Sequence, residues 1–116
     1  NIYNKPDILA PGVDICSARL SSAFSDSLCI DNNHAALSGT SMATPHVAGA
    51  VALIKQKHLD WNPYQIKSAI EYTANDLGEY RDIQGAGVIN VSATINLTHA
   101  PPVALINDIP GLTYRE

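Results

Sequence analysis

Ser38-Gly39-Thr40-Ser41-Met42-Ala43-Thr44-Pro45-His46-Val47-Ala48-Gly49 decides the reading of this chain. A short polar stretch runs into Val47 to Ile54, a segment without a polar side chain. Such a run is either a buried strand or a buried helix, and the length of 40–58 together with its Ala content favours helix. Thr40 is the expected N-cap, and Pro45 is expected in the first turn, where its missing N–H costs nothing. Lys55, Lys57 and His58 put positive charge at the end that the helix dipole favours. A helix apolar on all sides expects neighbours on most of them. Ala43, Ala48, Gly49, Ala50 and Ala52 would let those neighbours approach closely.

Ser41 falls at the start of this helix. Backbone N–H groups there are unpaired, and the dipole favours negative charge. Acyl transfer needs that environment for its oxyanion. Gly39 permits close approach of a substrate backbone. A Ser-Thr pair before a helix usually does no more than cap it; the length of the motif argues for more. A nucleophilic serine also needs a base within hydrogen-bond reach. His46 lies roughly 140° around the axis from Ser41, at about 100° per residue, and faces away. It is expected as a structural histidine, packed and hydrogen-bonded under the site. His58 would lie roughly 25 Å along the helix, and His99 falls in a linker. His34 is nearer, without base-like surroundings. The sequence offers a nucleophile and no recognisable base.

Outward from this stretch, Pro11-Gly12 marks a turn, and Val13-Asp14-Ile15-Cys16 alternates like a short half-buried strand. Residues 19–33, rich in Ser, Asp and Asn, read as a surface loop. A second helix is expected over 63–75. Asn62 is its N-cap, Pro63 its first residue and Gln65 the third, a capping box. Ile66, Ala69, Ile70 and Thr73 form its buried face, and Gly78 is a candidate terminator. Gly85-Ala86-Gly87 introduces a short apolar run, Val88-Ile89-Asn90-Val91. Residues 98–102 read as a linker, and Val103-Ala104-Leu105-Ile106 as the start of a new strand-like segment.

The bulk properties narrow the class. A chain of 116 residues holds one small domain with a modest core. Its net charge of −4, with four Lys and three Arg scattered, gives no nucleic-acid groove or anionic-membrane patch. No apolar run reaches the length of a membrane span. The chain starts mid-sequence without an initiating Met or signal peptide, so targeting information is expected upstream. Cys16 and Cys29 are equally readable as one disulfide or two thiols. No Cys/His cluster has zinc-ligand spacing.

Gly39-Thr40-Ser41-Met42-Ala43-Thr44-Pro45-His46-Val47-Ala48-Gly49 resembles the nucleophile signature of the subtilisin-like serine peptidases. Three further blocks resemble that family in the same order. They are Lys5-Pro6-Asp7-Ile8-Leu9-Ala10-Pro11-Gly12, Trp61-Asn62-Pro63-Tyr64-Gln65-Ile66-Lys67 and Gly85-Ala86-Gly87-Val88-Ile89-Asn90-Val91. The resemblance implies an α/β fold: the C-terminal portion of a three-layer α/β/α domain around a mostly parallel sheet, over residues 1–97. It implies Ser41 as nucleophile, its N–H as an oxyanion donor, and Gly39 and the Thr40 hydroxyl as support. Met42 would be the oxidation-prone methionine beside the nucleophile, and Leu37 and Ser38 would flank the scissile bond. The family's triad Asp and His and its oxyanion Asn belong to blocks upstream of these. This segment by itself is therefore expected to be inactive, with the N-terminal part of the catalytic domain as its partner and a protein or peptide as substrate.

Some family members bind calcium near the segment containing Asp7. Lys5 stands beside it here, so no metal or cofactor is expected in this segment, though calcium remains compatible with the complete enzyme. The family is mostly secreted, which implies secretion here, favours a Cys16–Cys29 bridge closing the long loop, and makes Asn90-Val91-Ser92 and Asn96-Leu97-Thr98 glycosylation sequons by pattern. Asn90 is expected in packed structure. Ala100-Pro101-Pro102-Val103-Ala104 weakly resembles the lead-in to the β-sandwich modules fused behind secreted peptidases, which would begin at 103–116. The alternative to a peptidase is a catalytically inactive domain of the same family, kept as a binding or structural module. Phosphate binding at the helix N-terminus lacks a P-loop Gly-Lys-Ser/Thr element.

Overall fold

The computed structural model describes residues 5–103. Most of the strand-like segment expected after Pro102, and any module following it, lie outside the described residues. The order of elements is β1 (Ile15–Ala18), β2 (His34–Leu37), α1 (Thr40–Lys57), α2 (Pro63–Tyr72), α3 (Arg81–Gln84) and α4 (Val91–Ile95), with a 3-10 turn at Ser25–Ser27.

β1 and β2 form an antiparallel pair in which Ile15 faces Leu37 and Ala18 faces His34. β1 begins two residues later than its alternating pattern suggests. The cause is the preceding turn: Asp14 adopts φ 51°, and its N–H donates to the Ser38 hydroxyl at 2.8 Å. Asp is among the residues that tolerate this left-handed region. The loop between the strands is stapled. A disulfide joins Cys16 to Cys29. The Arg19 guanidinium donates to the carbonyls of Asn32 at 2.6 Å and Ala23 at 2.9 Å.

α1 starts on Gly39, not on a side-chain cap. Gly39 holds the N-cap position, and Thr40 is the first helical residue, with its carbonyl accepting from the Thr44 hydroxyl at 2.9 Å. Pro45 is consequently the sixth helical residue, beyond the first turn where the sequence suggested it. Its ring nitrogen has no hydrogen to give to the Ser41 carbonyl one turn back. At the other end Lys55 Nζ donates to the Trp61 carbonyl at 2.8 Å. The His58 ring stacks on Trp61 at 3.8 Å and 10° and contacts the Ile95 carbonyl through Nε2 at 3.0 Å.

α2 has the cap its sequence encodes. Asn62 accepts from the Gln65 N–H at 3.0 Å, and the Gln65 side chain accepts from the Asn62 N–H at 2.8 Å. Ile66, Ala69 and Ile70 are buried along one face. The helix stops at Tyr72, short of residue 75. Thr73 turns its hydroxyl to the Ala69 carbonyl and to Thr94, and Asn75 leaves to pair with Val88. Gly78 does not end the helix. It closes a turn in which its N–H donates to Asp76 Oδ1 at 2.8 Å.

Val88 sits between two neighbours, parallel to Leu9 and antiparallel to Asn75. The Leu9 N–H donates to the Gly87 carbonyl at 2.8 Å and the Ile89 N–H to the Leu9 carbonyl at 2.9 Å. This is the described part of a parallel pairing. The core lies beneath it, where Ile54, Trp61, Ile66, Ala69 and Ile70 cluster, flanked by Ile8, Val51, Ile89, Ile95, Leu97 and Ala100. The stretch after α4 runs docked along α2, where the Ser68 hydroxyl donates to the Pro102 carbonyl at 3.1 Å.

The expectation that α1 is buried on most sides is not met within these residues. Only Ala50 and Ile54 are buried, and Leu53 is 51% exposed. The helix meets α2 and α4, and an open groove of about 690 Å³ runs between it and α2, lined by Ile8, Val47, Val51, Trp61, Ile66 and Ile70 among others.

The rim of that groove carries the main charge cluster. Asp7 receives the Lys5 ammonium and lies 3.4 Å from Lys67, which is 3.7 Å from Glu71. The hydrogen bond from Lys5, assisted by the charge of Lys67 and partly opposed by burial, holds the Asp7 carboxyl below its ordinary value. A depressed carboxyl stabilises the fold above its unfolded pKa of about 3.9 and loses that contribution as pH falls through the lower folded value. The group is substantially exposed, so the effect is small. In urea titrations of the complete domain, Asp7→Asn is expected to cost up to about 1 kcal/mol near neutral pH. The difference should shrink as pH falls below the unfolded value and vanish once the folded carboxyl is protonated.

Candidate active site

The strand β2 delivers Leu37, Ser38 and Gly39 to the start of α1, and a second segment fixes them there. The Gly39 N–H donates to the Gly12 carbonyl at 2.7 Å. The Ser38 hydroxyl accepts from the Asp14 N–H and lies 3.3 Å from Asp14 Oδ1. The turn at Pro11–Asp14 therefore clamps the approach to the helix. Gly12 has to be glycine for packing reasons, since a Cβ there would lie 2.8 Å from the Gly39 carbonyl oxygen. Gly39 has to be glycine for conformational ones. Its φ of 155° and ψ of 168° fall in a region essentially closed to other residues, although a Cβ would meet nothing nearer than 3.9 Å.

This strained cap shapes the first turn. The Gly39 carbonyl accepts from Met42 N–H at 3.0 Å and Ala43 N–H at 3.3 Å. The N–H groups of Thr40 and Ser41 come too early in the helix for an intrahelical acceptor. Ser41, the second helical residue, is exposed beside them, and Met42 is half-buried at its flank. Leu37 is half-buried opposite Ile15, and Ser38 and Thr40 are exposed. All the residues singled out in the sequence around Ser41 thus converge on one turn.

No histidine among the described residues is hydrogen-bonded to Ser41. The His46 Nδ1 meets the Met42 carbonyl at 2.9 Å, and its side chain is exposed, not packed as expected. His58 is held at the far end of α1. His34 begins β2, roughly 10 Å from Leu37 at about 3.3 Å per residue. It faces Asp31, whose Oδ1 is 2.8 Å from its Nδ1. That contact, with the Asn33 N–H, holds the Asp31 carboxyl below its ordinary value. The pair imitates half of a catalytic triad but belongs to the loop. The His99 Nδ1 lies 3.0 Å from the hydroxyl of its neighbour Thr98. No group of three His, Cys, Asp or Glu side chains gathers among the described residues. The Asp7 carboxylate faces two ammonium groups, those of Lys5 and Lys67.

A family model described as the subtilase family matches residues 1–91. The chain belongs to that family. A subtilisin-like protease of Arabidopsis thaliana, SBT4.9, is 43% identical over 116 residues, 96% of this chain and 15% of that protein. Subtilisin Savinase of Lederbergia lenta is 44% identical over 87 residues, 75% of this chain and 28% of that protein. Among solved structures, fervidolysin from Fervidobacterium pennivorans, a keratinolytic enzyme related to subtilisin, superposes with a TM-score of 0.62 at 28% identity. The match covers 80% of this chain and 15% of that one. The fold is therefore a portion of a subtilisin-like α/β domain. This subtilase chain spans about 15% of the length of the plant relative.

The sequence did not reveal the part played by Gly12 and Asp14. Pro11-Gly12 signalled a turn, but nothing local says that the turn grips Ser38 and Gly39. Replacing either glycine tests the clamp in the complete enzyme. Gly39→Ala is expected to cost about 1–3 kcal/mol through backbone strain. Gly12→Ala must shift the Gly39 carbonyl. Both should lower the Tm of the full-length polypeptide.

Proposed function

We propose that this chain supplies the nucleophile and one oxyanion donor of a secreted serine endopeptidase. The observation that carries the reading is the exposure of Ser41 at the second position of α1, beside N–H groups that have no helical acceptor. Ser41 Oγ attacks the peptide carbonyl while a histidine from another part of the polypeptide takes its proton, an aspartate orienting that histidine. The carbonyl oxygen, now negative, lies against the Ser41 N–H and the positive end of the α1 dipole, with the Thr40 hydroxyl within the same turn. The amine leaves with a proton from the histidine, and water then releases the acyl group from Ser41. Leu37 and Ser38, at the end of β2, flank the scissile bond.

The same reading accounts for the groove along α1. The remainder of the catalytic domain covers it, and this segment by itself is inactive because it holds no base for Ser41. The family membership and the subtilisin-like proteases among its relatives support a peptidase over an inactive module.

A fluorophosphonate should label the complete enzyme at Ser41. Ser41→Ala should abolish labelling and lower kcat by roughly 10⁶, as loss of the nucleophile does in enzymes of this mechanism. Peptide mapping that places the label elsewhere, or an active Ser41→Ala enzyme, overturns the assignment.

Mild peroxide should inactivate the same enzyme through Met42, whose sulfur would become a bulky polar sulfoxide beside the oxyanion site. Met42→Ala should resist. Equal sensitivity of the two proteins would remove Met42 from the site.

A further inference from the structure

The two sequons, Asn90-Val91-Ser92 and Asn96-Leu97-Thr98, lie at the two ends of one short helix, and the structure treats their asparagines differently. Asn90 is built into the fold at both ends of its amide. Its Oδ1 accepts the Ala93 N–H at 3.0 Å and so caps α4. Its Nδ2 donates to Asn75 Oδ1 at 3.1 Å, which ties α4 to the Val88 pairing. Its backbone carbonyl accepts from the hydroxyl of Thr94, a residue with no exposed surface. A sugar on Nδ2 would have to emerge between these contacts.

Asn96 sits at the opposite end, as the C-cap of α4, and its side chain is exposed. Its Nδ2 makes one bond, to the Ser92 carbonyl one turn back at 2.9 Å. An amide nitrogen has two hydrogens, so replacing one by a sugar leaves the other for Ser92. Thr98, which completes the sequon, is also exposed. Neither residue belongs to the core, which is reached by the intervening Leu97. The Cys16–Cys29 disulfide supplies an independent observation, because such bridges form and persist in oxidising compartments. In eukaryotic cells the compartment that forms them also attaches N-linked sugars to this tripeptide pattern.

We propose that, in a eukaryotic secretory pathway, Asn96 accepts an N-linked glycan and Asn90 does not. The inference rests on the secretory part of the proposed function and is independent of the peptidase part. The donor is an oligosaccharide joined to a lipid pyrophosphate. Nδ2 of Asn96 forms a bond to the anomeric carbon and gives up one proton, while the bond from that carbon to the pyrophosphate oxygen breaks. The lipid pyrophosphate leaves with the electron pair, and no oxidant or reductant is involved. Attachment precedes folding, so selection between the sequons acts through what the fold tolerates. A chain modified at Asn90 would carry its sugar on a half-buried side chain wedged between the α4 cap and Asn75 and fail quality control, whereas one modified at the exposed Asn96 would fold unchanged.

The test is to express the full-length polypeptide containing this chain in a eukaryotic secretory host. The product is treated with an amidase that converts each glycosylated Asn to Asp in heavy-oxygen water. Trypsin yields one peptide, residues 82–115, carrying both sequons, so fragment-ion sequencing must place the mark. The expected result is heavy Asp at position 96 and unmodified Asn at 90. Asn96→Gln and, independently, Thr98→Ala should each abolish the mark, the second while retaining the asparagine. A mark at Asn90, or an unmodified peptide from secreted protein, overturns the proposal. So does protein whose Cys16 and Cys29 react as free thiols. Fluorophosphonate labelling of the Asn96→Gln enzyme reads the peptidase proposal separately and should be unaffected.

Discussion

The hydrogen bond from the Gly39 N–H to the Gly12 carbonyl, 2.7 Å long, is the constraint on which the site depends. It joins two segments far apart in sequence at a point where neither has a side chain to fill the gap. Because the bond holds Gly39 in a backbone region other residues avoid, helix α1 begins abruptly and without a capping side chain. An ordinary cap would place its own oxygen on the first N–H groups. Here that space is open, and the polar hydrogens at the start of α1 are available to a ligand. The stability that a Ser or Thr cap would contribute is forgone at the place where the chemistry needs unpaired donors.

The same economy appears in the fold around it. α2 is secured locally, by the Asn62–Gln65 box and its buried stripe. α1 is secured mostly by others: Trp61 and His58 at its C-terminal end, α2 and α4 along one side, and the Pro11–Asp14 clamp at its start. Its remaining apolar surface lines the groove. The most apolar helix of the chain is thus the one least satisfied by these residues.

What could be read from the sequence was what local physics decides. The capping box, the extent of α1 and the buried face of α2 all rest on spacings within a few residues. Ser41 could be placed at a helix start for the same reason. What could not be read depended on long-range contacts. Thr40 has a good cap side chain, and only the bond to Gly12 makes Gly39 the cap instead. Asp14 looked like part of a strand until Ser38 took its N–H. Gln84 resembles a surface residue, yet it is buried, donating to Asp76 and the Glu79 carbonyl and accepting from the Leu77 N–H. Those three partners lie on a turn whose shape no local pattern reveals. The disulfide was undecided by spacing alone, because cysteines this far apart meet only if the two strands form a hairpin.

Pro45 has a mechanical meaning. The carbonyl of Ser41 receives nothing from the ring nitrogen one turn ahead, and the neighbouring Met42 carbonyl shares its lone pairs with the His46 imidazole. One of the rungs that couple the first turn of α1 to its long apolar shaft is therefore missing. The turn bearing Ser41 is tied to the helix behind it by one hydrogen bond fewer, and the Gly12 clamp in front adds a second anchor.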